Sequence, residues 1–238
     1  MFLNARQAKK ANDLEVTTPV AYPSGFMQLD YLNGHNVKVY DDNDELIEEY
    51  DSVGFVEGTM ITIIADSGLG KTTIAQQIST SISSEYENSF TVHEDIEQSG
   101  HANRVYNISN MSAGWLRNHY KIFQDCHAET VVDRFIDHAK IKLNNRKEWE
   151  YDTGLKDLYG NKIKKLQPTF VIIDSLAVMR SEDIDLTEDK DAIDKSAKNN
   201  MMGARRIMRL LSSNAQLNNL SNCWKLSLSR QYQSVIIC

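Results

Sequence analysis

"MITIIADSGLGKTTIAQQISTSIS", residues 60–83, decides how the chain is read. Met60 to Ile64 is a short apolar, β-branched run, the pattern of a strand buried on both faces. Ala65 ends it, and glycines and small residues follow. Then Ile74, Ala75, Ile78 and Ile82 recur at helical spacing. The order is strand, loop, helix.

The loop fits the pattern G-x-x-x-x-G-K-[ST], except that Ala65 stands at the first glycine. Such a loop turns backbone N–H groups toward phosphate oxygens at a helix N-terminus. Asp66, Ser67, Gly68, Leu69 and Gly70 form it, and Thr73 follows in the opening turn of the helix. Gly68 and Gly70 give the backbone its freedom nearest the phosphates. Lys71 offers a point charge to the β- and γ-phosphates, and Thr72 a hydroxyl to Mg²⁺. Ala65 adds one methyl where only small side chains fit, and is read as tolerated. ATP with Mg²⁺ is the expected ligand.

Phosphoryl transfer needs a second acid near the metal. "FVIIDS", residues 170–175, ends an apolar strand on Asp174, expected beside Thr72, with Ser175 next to it. Hydrolysis also needs a group to orient the attacking water. "TVHEDIEQS", residues 91–99, offers Glu94, Asp95 and Glu97. In a continuing strand Asp95 and Glu97 face the same way. Spacing alone leaves the choice open.

Elsewhere, further strands are expected in "SFTVHEDIE", "NHYKIFQDC" and "PTFVIIDSLAVM". "AETVVDRFIDHAKIKLNN" reads as a helix with Val131, Val132, Phe135, Ile136, Ala139 and Leu143 on one face. "DKSAKNNMMGARRIMRLL" reads as a long helix carrying Ile193, Ala197, Met201, Ala204, Met208 and Leu211. Residues 41–51, "DDNDELIEEYD", read as a solvated loop or insertion. Strands alternating with helices predict a parallel sheet covered on both faces.

The chain has 238 residues and a net charge of -7, which argues against bulk attraction to DNA but leaves room for a local basic groove. No run of eighteen apolar residues suggests a membrane span, and the N-terminus lacks a signal core. Cys126, Cys223 and Cys238 read as free thiols in a reducing compartment. His93, His101, His119, His127 and His138 show no metal-ligand spacing and read as structural or surface residues.

These segments together resemble the RecA-like ATPases, most closely phage recombinases of the RecA and UvsX type. "SGFMQLDYLNG" (residues 24–34) is similar to the segment before the family's ATPase core. "ADSGLGKTTIAQQI" resembles its phosphate loop and first helix, and "PTFVIIDSLAVM" its Asp-Ser metal strand. "HEDIEQS" resembles its D-x-E strand end, which places the catalytic Glu at Glu97. "MMGARRIMRLLS" is similar to the helix after the first DNA-binding loop. The resemblance covers roughly residues 22–212.

The resemblance implies a three-layer P-loop NTPase core, RecA-like, with a mostly parallel central sheet flanked by helices. Residues 1–21 would be a leader or oligomerisation segment, and residues 22–238 the core. Glu97 and Lys71 would be catalytic, and Thr72 and Asp174 would hold the metal. Arg104 would stack on the adenine. Residues 180–200 match the first DNA-binding loop in position, with Arg180, Lys190, Lys195 and Lys198 for phosphates. The protein would be a DNA-dependent ATPase acting in recombination or repair. It would bind single-stranded DNA as a filament or ring of identical subunits, with ATP at their interfaces.

Residues 212–238 depart from the family. "SVIIC" resembles the start of its next strand, but no Asn-Gln and no second DNA-binding loop follow. This part of the core is expected to be truncated, or altered by a reading-frame change. Two other functions stay open: the ATPase domain of a DnaB-type helicase, and a nucleotide-gated binding module without catalysis.

Overall fold

The computed structural model describes residues 20–41, 43–57, 60–98, 102–125, 127–157, 159–174, 178–180, 223–226 and 233–237. The first elements are β1 (Ala21–Tyr22), α1 (Met27–Asn33), β2 (His35–Tyr40), β3 (Leu46–Ser52) and β4 (Phe55–Val56). Then come β5 (Met60–Ala65), α2 (Lys71–Ser83), β6 (Phe90–Asp95), α3 (Ala102–Ser109), α4 (Ala113–His119) and β7 (Tyr120–Phe123). After them follow α5 (Ala128–Asn144), α6 (Arg146–Trp149), β8 (Glu150–Lys156), β9 (Lys162–Leu166) and β10 (Thr169–Asp174). Two strands near the C-terminus complete the set, β11 (Cys223–Leu226) and β12 (Gln233–Ile237).

The fold is α/β with mixed sheets. The main sheet runs β11-β5-β12-β10-β6-β7, and β11 also bonds to β10. β10, β6 and β7 are parallel neighbours, with Asp174 opposite Asp95 and Glu94 opposite Phe123. Consecutive residues of β6 point to opposite faces. Thr91, His93 and Asp95 share the face of α2, where the Ser83 and Thr91 hydroxyls lie 3.4 Å apart. Glu94 lies on the other face and pairs with Arg134 of α5. Helices thus cover both faces of β6.

The core follows the apolar rows. Ala75, Ile78 and Ile82 of α2, Val131, Val132, Phe135 and Ala139 of α5, and Phe170 to Ile173 of β10 are buried in one cluster. Three expected core positions are exposed: Ile64 of β5 at 59%, Ile74 at 36% and Leu143 at 39%, while Ile136 is half-buried. Ile74 and Leu143 sit at the edge of their helices' apolar stripes, where a side chain is left in solvent.

The sheet is less parallel than the sequence suggested. β12 is antiparallel to both β5 and β10, while β11 is parallel to both. β11 pairs with Met60–Ile61 and Thr169–Val171, and β12 with Ile61–Ala65 and Ile172–Ile173. Between them they span the gap between β5 and β10 from base to top. Backbone groups facing that gap need partners, and the two C-terminal segments supply them. Cys223–Leu226 and Gln233–Ile237, within the stretch expected to depart from the resembled family, are therefore part of the sheet.

The acidic segment at residues 41–51 is not simply a loop. Its second half is β3, an antiparallel partner of β2 with His35 opposite Ser52. A second hairpin, β8–β9, was not foreseen either. The two hairpins touch: Tyr50 donates to the Lys156 carbonyl at 2.9 Å, and Lys156 pairs with Glu48 at 2.8 Å. The segment before β5 is tied down at Asp30, whose carboxylate accepts from the Ser24 amide (2.8 Å) and hydroxyl (2.6 Å). Residues 1–19, the helix expected over residues 193–211, Ser175, and Lys190, Lys195 and Lys198 lie outside the described residues. Arg180 is described, and it bridges to His127.

Candidate active site

The strand, loop and helix read at residues 60–83 are β5, the loop 66–70, and α2. Gly68 and Gly70 have φ of +79° and +81°, and a Cβ on either would meet no atom within 4 Å. The left-handed backbone is one that glycine adopts without steric cost. It turns the chain into α2, whose first turn, Lys71 to Ile74, carries no carboxylate. An anion is therefore favoured at this end of the helix.

The loop borders a cavity of about 190 Å³. Its walls are Ser67, Gly68 and Gly70 of the loop, Lys71 and Thr72 of α2, and three residues distant in sequence, Glu97, Arg104 and Asp174. Lys71 is buried and donates its ammonium to the Asp66 carbonyl at 2.5 Å. A phosphate oxygen would be a stronger partner for that charge than a neutral carbonyl. Thr72 donates to Asp174 Oδ2 at 2.5 Å. Arg104, on α3, donates to the Thr73 hydroxyl at 2.5 Å. Its guanidinium thus lies at the wall of this cavity. Asp66 contributes its carbonyl, and Leu69 is 65% exposed and lies off the cavity wall.

The three acids at the end of β6 separate clearly. Glu94 is fully buried and takes two hydrogen bonds from Arg134, at 2.7 and 2.5 Å. Asp95 is fully buried and accepts from Gln124 at 2.9 Å. Glu97 is exposed and lines the cavity. The expectation that Asp95 and Glu97 face the same way fails because β6 ends at Asp95. There the chain turns, with Gln98 N donating to the Asp95 carbonyl at 3.1 Å and Glu97 N to the Asp174 carbonyl at 3.0 Å. Arg134 and Gln124, which hold the other two acids, were missed. Arg134 had a signal, a lone cation between Val131 and Phe135 on the apolar side of α5. Gln124 had none.

Electrostatics fit a metal-bound anion. Burial, and then the nearby Glu97 and Asp95 carboxylates, push Asp174 up to about 6, against the Thr72 hydrogen bond and the Lys71 charge. Burial likewise pushes Glu94 up to about 7 despite Arg134. Asp174 and Glu97, the two acids on the cavity wall, would repel a bare polyphosphate, and a divalent cation would relieve that repulsion. Among the described residues, no group of three or more His, Cys, Asp or Glu side chains could hold a metal. Thr72 and Asp174 alone suit Mg²⁺, which keeps water and phosphate oxygens in its shell and needs few protein ligands.

No protein-family model, no curated protein and no solved structure matches the chain. Among the described residues, no helix is long and apolar enough to cross a membrane.

Proposed function

We propose that the chain is a Mg²⁺-dependent ATPase that works as a single-stranded-DNA-binding recombinase of the RecA/UvsX type. One observation carries the ATPase reading: Lys71, Thr72, Glu97, Arg104 and Asp174 border one cavity at the start of α2. The DNA reading, the P-loop NTPase fold and the assembly of identical subunits around ATP are supported by the sequence resemblance.

Loop amides and the Lys71 ammonium bind the phosphates. Thr72 and Asp174 would hold Mg²⁺, which when bound would neutralise charge on the phosphate oxygens. Glu97 orients the attacking water and draws its proton. Arg104 adds a second positive charge at the wall. Groups already fixed around the reacting phosphate need no reorganisation at the moment of transfer, and phosphoryl transfer depends mostly on such positioning.

The test is ATP turnover with and without single-stranded DNA at one low salt concentration, with Lys71→Ala as blank. Turnover that DNA stimulates supports a recombinase or a helicase, and excludes the non-catalytic binding module. Turnover indifferent to DNA leaves an ATPase and removes the recombinase. No turnover, with ATP still bound, makes the chain a nucleotide-gated binding module.

A further inference from the structure

The face of α2 turned toward β6 is polar. Gln76, Ser79, Thr80 and Ser83 are buried there, opposite buried Thr91, His93 and Asp95. Helix-to-sheet contacts are ordinarily filled by apolar side chains, so this seam needs an explanation. Most of it closes on itself. The Ser79 and Thr80 hydroxyls donate to the Gln76 carbonyl at 3.0 and 2.8 Å, and Ser89 Oγ donates to Ser83 Oγ at 3.2 Å.

Two side chains do not close. Both polar atoms of the Gln76 amide, and Nε2 of His93, have no hydrogen-bond partner among the described residues. Both residues are fully buried. The other His93 nitrogen, Nδ1, lies 3.0 Å from the Tyr120 hydroxyl. Burial pushes the imidazole down to about 4, so the ring is neutral near pH 7. In the arrangement that serves both partners, Tyr120 donates to Nδ1 and the ring proton sits on Nε2. The Tyr120 hydroxyl also lies close to the Gln76 amide and near the Asp95 and Asp174 carboxylates. A buried ring N–H and a buried amide, both next to the Tyr120 hydroxyl and both left with polar atoms unsatisfied, offer the partners that hold an internal water.

The place of this cluster gives it a function. Gln76 is one helical turn beyond Thr72, and His93 is two residues before Asp95. The Asp95 carbonyl closes the turn that carries Glu97, and the Glu97 amide is tied to the Asp174 carbonyl. We propose that Tyr120 is a positioning residue: with His93 and Gln76 it encloses a buried water and fixes the end of β6, and so Glu97, relative to the start of α2. The role assigned to Glu97 rests on the ATPase reading, whereas the buried water does not.

The experiment pairs steady-state ATP kinetics with histidine-ring ¹H–¹⁵N spectra of the full chain, for wild type, Tyr120→Phe and Gln76→Leu. In wild type, His93 should show its proton on Nε2, unchanged from pH 7.5 to pH 5, with a cross-peak to water. Tyr120→Phe removes only a hydroxyl and should let the ring proton spread to Nδ1. Its kcat should fall about tenfold, the low end for residues that orient a first layer of ligands, with KM for ATP within about twofold. Gln76→Leu should lose the water cross-peak and show the same loss of kcat, which keeps the test alive if one variant folds poorly. A wild-type proton on Nδ1, no water contact, or unchanged kcat in both folded variants would overturn the proposal. A wild type that turns over no ATP sinks the ATPase reading instead, and the ring tautomer and water contact then decide the seam alone.

Discussion

Replacing Asp174 with Asn should stabilise the chain while removing Mg²⁺-dependent turnover. The side chain is 3% exposed, and its pKa is raised from 3.8 to about 6, chiefly by burial. A shift of about two units at 1.36 kcal/mol each makes ionised Asp174 cost the fold about 3 kcal/mol. Asn keeps an oxygen for the Thr72 hydroxyl but makes a weaker bond, so the expected gain is about 1–2 kcal/mol. The sign follows from linkage. A carboxyl with a raised folded-state pKa carries its full penalty above about pH 6, and the penalty fades as pH falls from there toward 3.8. Urea unfolding at pH 7.5 should therefore favour the variant, and the two proteins should converge near pH 4.5. Added Mg²⁺ and ATP should stabilise wild type more than the variant. A variant less stable than wild type at pH 7.5, or a difference that does not change with pH, would refute the reasoning and make Asp174 an ordinary structural acid.

Glu97→Gln should leave ATP affinity within about threefold and cut turnover by about 10²–10⁴, the range for a lost general base, as read in single-turnover assays. Arg134→Ala leaves Glu94 buried and unpaired. It should cost about 3 kcal/mol in urea unfolding at pH 7.5, the low end for breaking a buried pair, because Glu94 can take up a proton. Gly70→Ala meets no clash but forces a left-handed residue. It should cost about 1 kcal/mol in thermal unfolding and weaken ATP binding, since Gly70 borders the cavity.

The local parts of the site were legible. β5, the loop and α2 are one continuous stretch, and the apolar run ending in Asp174 is a single strand, so periodicity found them both. Elements that depend on distant partners were not. β3 is charged and largely exposed on both faces, so "LIEEYDS" shows no buried face until β2 pairs with it. β12 shows an apolar run, but nothing in "QSVII" says that it lies antiparallel between β5 and β10. Glu97 could not be told from Asp95 by spacing, because the strand's end, one residue past Glu94, decides which acid reaches the cavity. The polar seam escaped because only apolar residues were counted in α2. Gln76, Ser79, Thr80 and Ser83 recur at helical spacing as well, and their burial shows only against β6.

The central claim is that the cavity beside "ADSGLGKTT" takes the phosphates of ATP with Mg²⁺. Isothermal titration of Mg²⁺ and ATP into Glu97→Gln, which should not hydrolyse it, tests this most directly when repeated with Lys71→Ala added. One binding event per chain that disappears with Lys71→Ala, and weakens when Mg²⁺ is withheld, is the predicted result. Binding that survives the loss of Lys71 undiminished, or no binding by a folded Glu97→Gln chain, would contradict it.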